Sequence, residues 1–290
     1  MKVCLTAIVS DNYYQLYLPL FIYTLHREYP EYEVKTFIKG KVSEQNARAL
    51  AVLEKKFAIN QPIEIFSNIK EKKSTLNCLR FLIHEKHFKK YDYVIFLDAD
   101  LLIYKTSPTL LEWHLKRMKK IGSCYAGHHG PWRKRYRPQI APNGWRGSFE
   151  RVSGGLFLAT PKWFEKTHKI RKTFLSEIMA GKLCGYREAD EVMLCNILKK
   201  SGLPVPPMGF PKELRGVHLG DFKPGMKKRY LSNRKMNKKL TLHNAKKYIA
   251  CQSDETWKEM IKIIYEERHI KKVIDMANIV ISKKIRHHNV

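Results

Sequence analysis

The run YVIFLDADLLIY, residues 93–104, constrains the chain more than any other stretch. Tyr93 to Leu97 form an uninterrupted apolar lead, the pattern of a strand covered on both faces. Asp98 and Asp100 follow with only Ala99 between them, and Leu101 to Tyr104 turn apolar again. In an open α/β sheet, ligands gather at the carboxyl ends of strands. Two residues apart on an extended segment, the carboxylates project from the same side. Together they make a hard, doubly negative oxygen site that suits Mg²⁺ or Mn²⁺. A pair of turn or cap aspartates is the competing reading.

The residues before this run alternate between strand and helix patterns. Lys2–Val9, Glu33–Ile38 and Pro62–Phe66 read as strands, whereas 13–28, Ser43–Phe57 and Ser74–Phe88 carry helical spacing. Such alternation predicts an α/β fold with parallel strands. After the run come a helix within Tyr104–Lys120, a loop over 128–150 rich in Pro, Gly, Arg and Trp, and a strand at Gly154–Ala159. A helix starting at Pro161, another over Asp190–Lys200 and one or two helices over Thr256–Lys284 complete the reading. Residues 1–250 are expected to form the catalytic domain and 251–290 a C-terminal helical extension.

With 290 residues, 44% of them hydrophobic, the chain can build a sizeable core. Lys and Arg number 55 against 27 acidic residues, a formal charge of +28, which calls for anionic company: phosphates, nucleic acid, acidic glycans or an anionic membrane surface. The six cysteines show no CxxC spacing, so reduced, partly buried thiols are expected rather than a zinc cluster. MKVCLTAIVS lacks an apolar signal region, and no stretch is long enough to span a bilayer. The expectation is a cytoplasmic protein. The stripe Ile270, Val273, Ile274, Ala277, Ile281 and Ile285, flanked by lysines, would pack on its own domain or lie on an anionic membrane.

Several segments then agree, in order, with one group of enzymes. YDYVIFLDADLLIY resembles the DxD segment of GT-A glycosyltransferases, and Val3–Asp11 resembles their first strand and nucleotide-binding edge. RVSGGLFLATPKWFE resembles the later strand that lines the sugar site, and GYREADEVMLCNIL the acidic segment beside the acceptor. GVHLGDFKPG resembles the terminal H-x-x-G-x-x-K-P motif of the glycogenin-like family, glycosyltransferase family eight, with one residue fewer before the glycine. The resemblance implies a GT-A (Rossmann-like) mixed, mainly parallel sheet flanked by helices, with a helical C-terminal tail. It also implies transfer of a hexosyl or pentosyl group from a nucleotide-diphosphate donor, UDP-linked, to a glycan or glycoconjugate acceptor, and it leans towards retention of configuration.

On that basis Asp98, Asp100 and His218 would hold the metal, the imidazole favouring Mn²⁺. Ser10 and Asp11 would meet the base or ribose, unless Asp11 caps the next helix. Arg80 would neutralise a phosphate or pair with an aspartate near the DxD. Ala99 belongs to the DxD turn, and Gly154 and Gly155 would let a sugar lie against the backbone. Gly220 and Lys223 would approach the diphosphate. Glu188, Asp190 and Glu191 are the candidates for acceptor-side chemistry, Asp190 first, either as a base in an inverting reaction or as a stabiliser of positive charge in a retaining one. Trp132, Tyr136 and Trp145, interleaved with Arg133, Arg135, Arg137 and Arg146, suit an acceptor lid. A basic nucleic-acid-binding protein would use the same charge and aromatics, but no helix-turn-helix, zinc-finger or RRM signature occurs. A nucleotidyltransferase would call for a glycine-rich phosphate loop near the N-terminus, and SDNYYQLYL lacks one.

Overall fold

The computed structural model describes residues 1–9, 12–69, 76–130, 151–181, 189–206, 216–222 and 240–286. Six strands form one mixed sheet: β1 (Val3–Val9), β2 (Glu33–Lys39), β3 (Ile63–Ile65), β4 (Tyr93–Leu97), β6 (Tyr125–Gly130) and β7 (Arg151–Ala159), in the order β3-β2-β1-β4-β7-β6. The first four in that order run parallel, and β7 runs against both of its neighbours. β5 (Leu101–Ile103) and β8 (Gly216–His218) pair separately as a small antiparallel ribbon. The α/β architecture with its mainly parallel sheet is therefore as the sequence predicts.

Alternation along the strands splits the interior into two layers. Val3, Leu5, Ala7 and Val9 of β1 face one core together with Ile95 and Leu97 of β4. Cys4, Val94 and Phe96 face the other, where they meet Phe81, Phe157, Trp163 and Leu194. Helices α1 (Asn12–Gln15), α2 (Leu18–Glu28) and α3 (Glu44–Glu54) follow the first two strands. The predicted helix over 13–28 is interrupted before Leu18, because Pro19 lacks an amide donor and is accepted only in a first helical turn. Helix α4 (Leu110–Ile121) is fixed at both ends. Thr109 and Glu112 form a reciprocal cap at its start, and Gly122, at φ 65°, takes the left-handed conformation at its end. Helices α5 (Pro161–Met179) and α6 (Ala189–Lys200) cover the second core.

The segment expected as a helix over Ser74–Phe88 is two short 3₁₀ turns in its described part, Leu76–Phe81 and Glu85–His87. The cause is tertiary. The buried guanidinium of Arg171, on α5, donates to the carbonyls of Phe81 and Ile83 and pairs with Glu85, removing acceptors that a continuous helix would use. The run 93–104 likewise does not continue as one strand. The chain turns over 98–100, with Leu101 N donating to Asp98 O at 3.0 Å, and passes from one sheet to the other.

Helices α7 (Leu242–Gln252), α8 (Glu255–Ile264) and α9 (Arg268–Arg286) close the fold. Position 250 lies inside α7. Ile270, Val273, Ile274, Ala277 and Ile281 are buried in the first core, and Ile285 is partly buried against it. Helix α9 packs on α7 and on the 3₁₀ turn Leu219–Phe222. Among the described residues, no helix is long and apolar enough to cross a membrane. Cys4, Cys78, Cys195 and Cys251 are buried free thiols. Truncating Ile274 to Ala is expected to cost about 2–5 kcal/mol in urea unfolding, the range for a buried isoleucine; a loss under about 1 kcal/mol would show that α9 has little share in the core.

Candidate metal and donor site

The site is built where β4 ends. Register alone brings its parts together. Leu97 of β4 pairs with Leu156 of β7, so the next residue, Asp98, falls beside Gly155. Leu101 of β5 pairs with His218 of β8, so Asp100, just before Leu101, meets that imidazole. Leu219 N donates to Asp100 O at 2.8 Å and locks the two segments.

Each aspartate has one oxygen tied to a cationic partner and the other against a glycine. Asp98 Oδ1 accepts from Arg80 at 2.6 Å, and a methyl group on Gly155 would come within 2.0 Å of Asp98 Oδ2. Asp100 Oδ1 lies 3.1 Å from His218 Nε2, and a methyl group on Gly220 would come within 2.1 Å of Asp100 Oδ2. Both glycines are therefore required by close approach rather than by turn geometry. Asp98, Asp100 and His218 each offer a ligand atom, all within 4.8 Å of one another. Among the described residues they are the group of acidic, cysteine and histidine side chains so placed. Two carboxylates and one imidazole, the Asp98 and His218 side chains each 29% exposed, are a donor set that fits Mn²⁺ or Mg²⁺.

Arg80 also reaches Asp190 at 3.7 Å, bridging the DxD turn to the start of α6. Burial opposes the Arg80 charge, but Asp98 and Asp190 more than compensate and raise its pKa. Burial also raises Asp190; the nearby Asp98 charge adds to this, and Arg80 opposes it. His218 is subject to a similar contest. Burial disfavours its charged form, yet the charge and hydrogen bond of Asp100, with help from Asp221, push it up to about 10.

Of the residues singled out from sequence, the structure brings together Arg80, Asp98, Asp100, Gly155, Asp190, His218 and Gly220. Ala99 turns its methyl into the core and has only backbone to offer a ligand. Gly154 lies within β7, next to Gly155, and Glu191 beside Asp190 in the first turn of α6. Ser10, Asp11, Glu188 and Lys223 lie outside the described residues, as do Trp132, Arg133, Arg135, Tyr136, Arg137, Trp145 and Arg146. Sequence reasoning missed Arg171 and Asp221. Nothing local marks Arg171, whereas Asp221 stands three residues after His218 inside a quoted motif.

The profile of the family described as "Glycosyl transferase family 8" matches residues 5–176. No curated protein matches the chain. Among solved structures, it is similar to galactosyltransferase LgtC in complex with donor and acceptor sugar analogs, at 18% identity over 67% of this chain and 70% of that one, TM-score 0.42. It is also similar to glycosyltransferase GlyE of Streptococcus pneumoniae, at 13% identity over 69% and 44%, TM-score 0.41. Mouse xyloside xylosyltransferase 1 matches at 14% identity over 69% and 82%, TM-score 0.39.

Two outcomes follow from the geometry. Gly155→Ala is expected to fold but to displace Asp98, so that Mn²⁺ titration shows at least about a tenfold loss of affinity with the circular dichroism spectrum unchanged. For His218 the folded pKa lies above its ordinary 6.5, so in the metal-free protein its stabilising contribution is complete below 6.5 and is lost as pH rises through about 10. An ion must displace that proton, so Mn²⁺ affinity should rise towards about tenfold per unit between about pH 6 and 8, and His218→Gln should flatten the slope.

Proposed function

We propose that this chain, which belongs to glycosyl transferase family 8, moves a hexosyl or pentosyl group from a uridine-diphosphate sugar to a hydroxyl of a glycan or glycoconjugate, with Mn²⁺ or Mg²⁺ as cofactor. One observation carries the reading. His218, 118 residues beyond Asp100, lies beyond the segment matched by the family profile, and still meets the DxD carboxylates within ligand distance.

In this reaction the bond between the sugar's anomeric carbon and the phosphate oxygen breaks, and a bond to the acceptor oxygen forms. Asp98, Asp100 and His218 would hold the divalent ion, which when bound would neutralise the diphosphate and stabilise charge on the departing nucleoside diphosphate. Arg80 holds Asp98 in place through its 2.6 Å hydrogen bond. It also fixes Asp190 on the other side of the turn, where that carboxylate is buried at the first turn of α6. From there Asp190 would face positive charge developing on the sugar or take the acceptor proton. Gly155 makes room for the Asp98 carboxylate against β7, and the sugar would lie beside that carboxylate. Lys223, close after Gly220 in sequence, would add a positive charge at the diphosphate.

The test is thermal stability with Mn²⁺ and a panel of nucleotide sugars, for the parent chain and for Asp98→Ala/Asp100→Ala. One UDP-sugar should raise the midpoint of the parent only when metal is present, and the double variant should lose that rise. The stabilising donor should then be hydrolysed slowly without acceptor. Undiminished turnover in excess chelator would overturn the proposal.

A further inference from the structure

His218 has two ring nitrogens, and only Nε2 faces the DxD turn. The other, Nδ1, lies 3.4 Å from Asp221 Oδ1. We propose that Asp221 is a positioning residue: it accepts the Nδ1 proton of His218 and so holds the Nε2 lone pair towards a divalent ion bound by Asp98 and Asp100.

The local backbone explains the contact. Leu219–Phe222 is a 3₁₀ turn, and three residues per turn place side chains at i and i+3 above one another. That spacing acts twice here. Leu219 and Phe222 are both buried in the first core and anchor one side of the turn. His218 and Asp221 carry the same spacing and meet on the other side, with side-chain exposures of 29% and 26%. The turn is held from two directions, by the Leu219 N to Asp100 O hydrogen bond and by the packing of α9 against it. A neutral imidazole carries one proton, and the partner at one nitrogen decides which nitrogen keeps it. Both nitrogens face a carboxylate here, Nε2 that of Asp100 and Nδ1 that of Asp221; an ion shared by Asp100 and His218 would displace the Nε2 proton, and Asp221 would keep the other on Nδ1. A carboxylate behind a ligating imidazole also raises its basicity, and loss of such a partner typically weakens a metal site by about 10- to 100-fold.

The inference rests on the metal-dependent reading, so the test starts with Mn²⁺ alone. Free Mn²⁺ is followed by electron paramagnetic resonance during titration of the parent chain, Asp221→Ala, Asp221→Asn, His218→Gln and the His218→Gln/Asp221→Ala pair. Asp221→Ala is expected to bind about 10- to 100-fold more weakly, with an unchanged circular dichroism spectrum in chelator and an altered nitrogen coupling in the pulsed spectrum of the bound ion. Asp221→Asn keeps the shape and a neutral acceptor and should fall between parent and alanine variant. In the His218→Gln background, Asp221→Ala should have no further effect, because the residue acts through the imidazole. Parental affinity in Asp221→Ala, or in Asp221→Asn if the alanine variant does not fold, overturns the inference alone. A parent chain that binds no Mn²⁺ overturns both it and the metal-dependent reading.

Discussion

Two negative charges held a few ångströms apart at the rim of a buried sheet repel each other, and the whole site is arranged around that fact. At the 4.8 Å limit that encloses the ligand atoms, an effective dielectric near 20 gives a repulsion of about 3 kcal/mol. Arg80 answers Asp98 and His218 answers Asp100, each from a different part of the chain. With Asp190 and Asp221 included, four carboxylates surround one guanidinium and one imidazole. Among the described residues the balance is negative, in a chain whose overall charge is strongly positive, which is a local setting that suits a divalent cation.

Rigidity comes from what lies behind the charges. Phe96, next to the end of β4, packs among Phe81, Phe157 and Trp163, and these rings leave the strand little freedom to shift. Phe81 is also adjacent to Arg80. Its carbonyl is held at 2.6 Å by Arg171, whose guanidinium is itself buried over the Trp163 and Phe164 rings. A chain of contacts therefore runs from α5 through the 3₁₀ turn to Arg80 and on to Asp98. The glycines do the complementary work: Gly155 and Gly220 remove atoms where the carboxylates need room.

Much of this was legible in the sequence, and the reasons differ from part to part. The parallel half of the sheet shows itself through unbroken apolar runs separated by helical spacing, and the DxD through its position after five strand formers. For Arg80 the sequence leaves open a phosphate or an aspartate near that turn, and the side chain contacts Asp98. The 3₁₀ turns of 76–87 were not legible. Helical spacing is a local signal, and what overrides it is Arg171, 90 residues beyond the Phe81 carbonyl it holds. The break in the strand pattern at Asp98 was only half legible, since Leu101–Ile103 is as apolar as β4 and nothing local says that it joins a different sheet. Asp221 was hidden by its neighbours: in a motif defined by its histidine, glycine and lysine, the acid reads as filler until the turn's three-residue repeat sets it beside His218.

The support beneath the turn 219–222 comes from α9, residues Arg268–Arg286. A growing chain that has reached residue 260 already contains Asp98, Asp100 and His218, but not the helix against which that turn is seated. The cation-holding corner is thus seated on a helix that follows all three of its ligand residues in the chain. Synthesis from the N-terminus therefore completes the ligands of that corner before it completes the support beneath them.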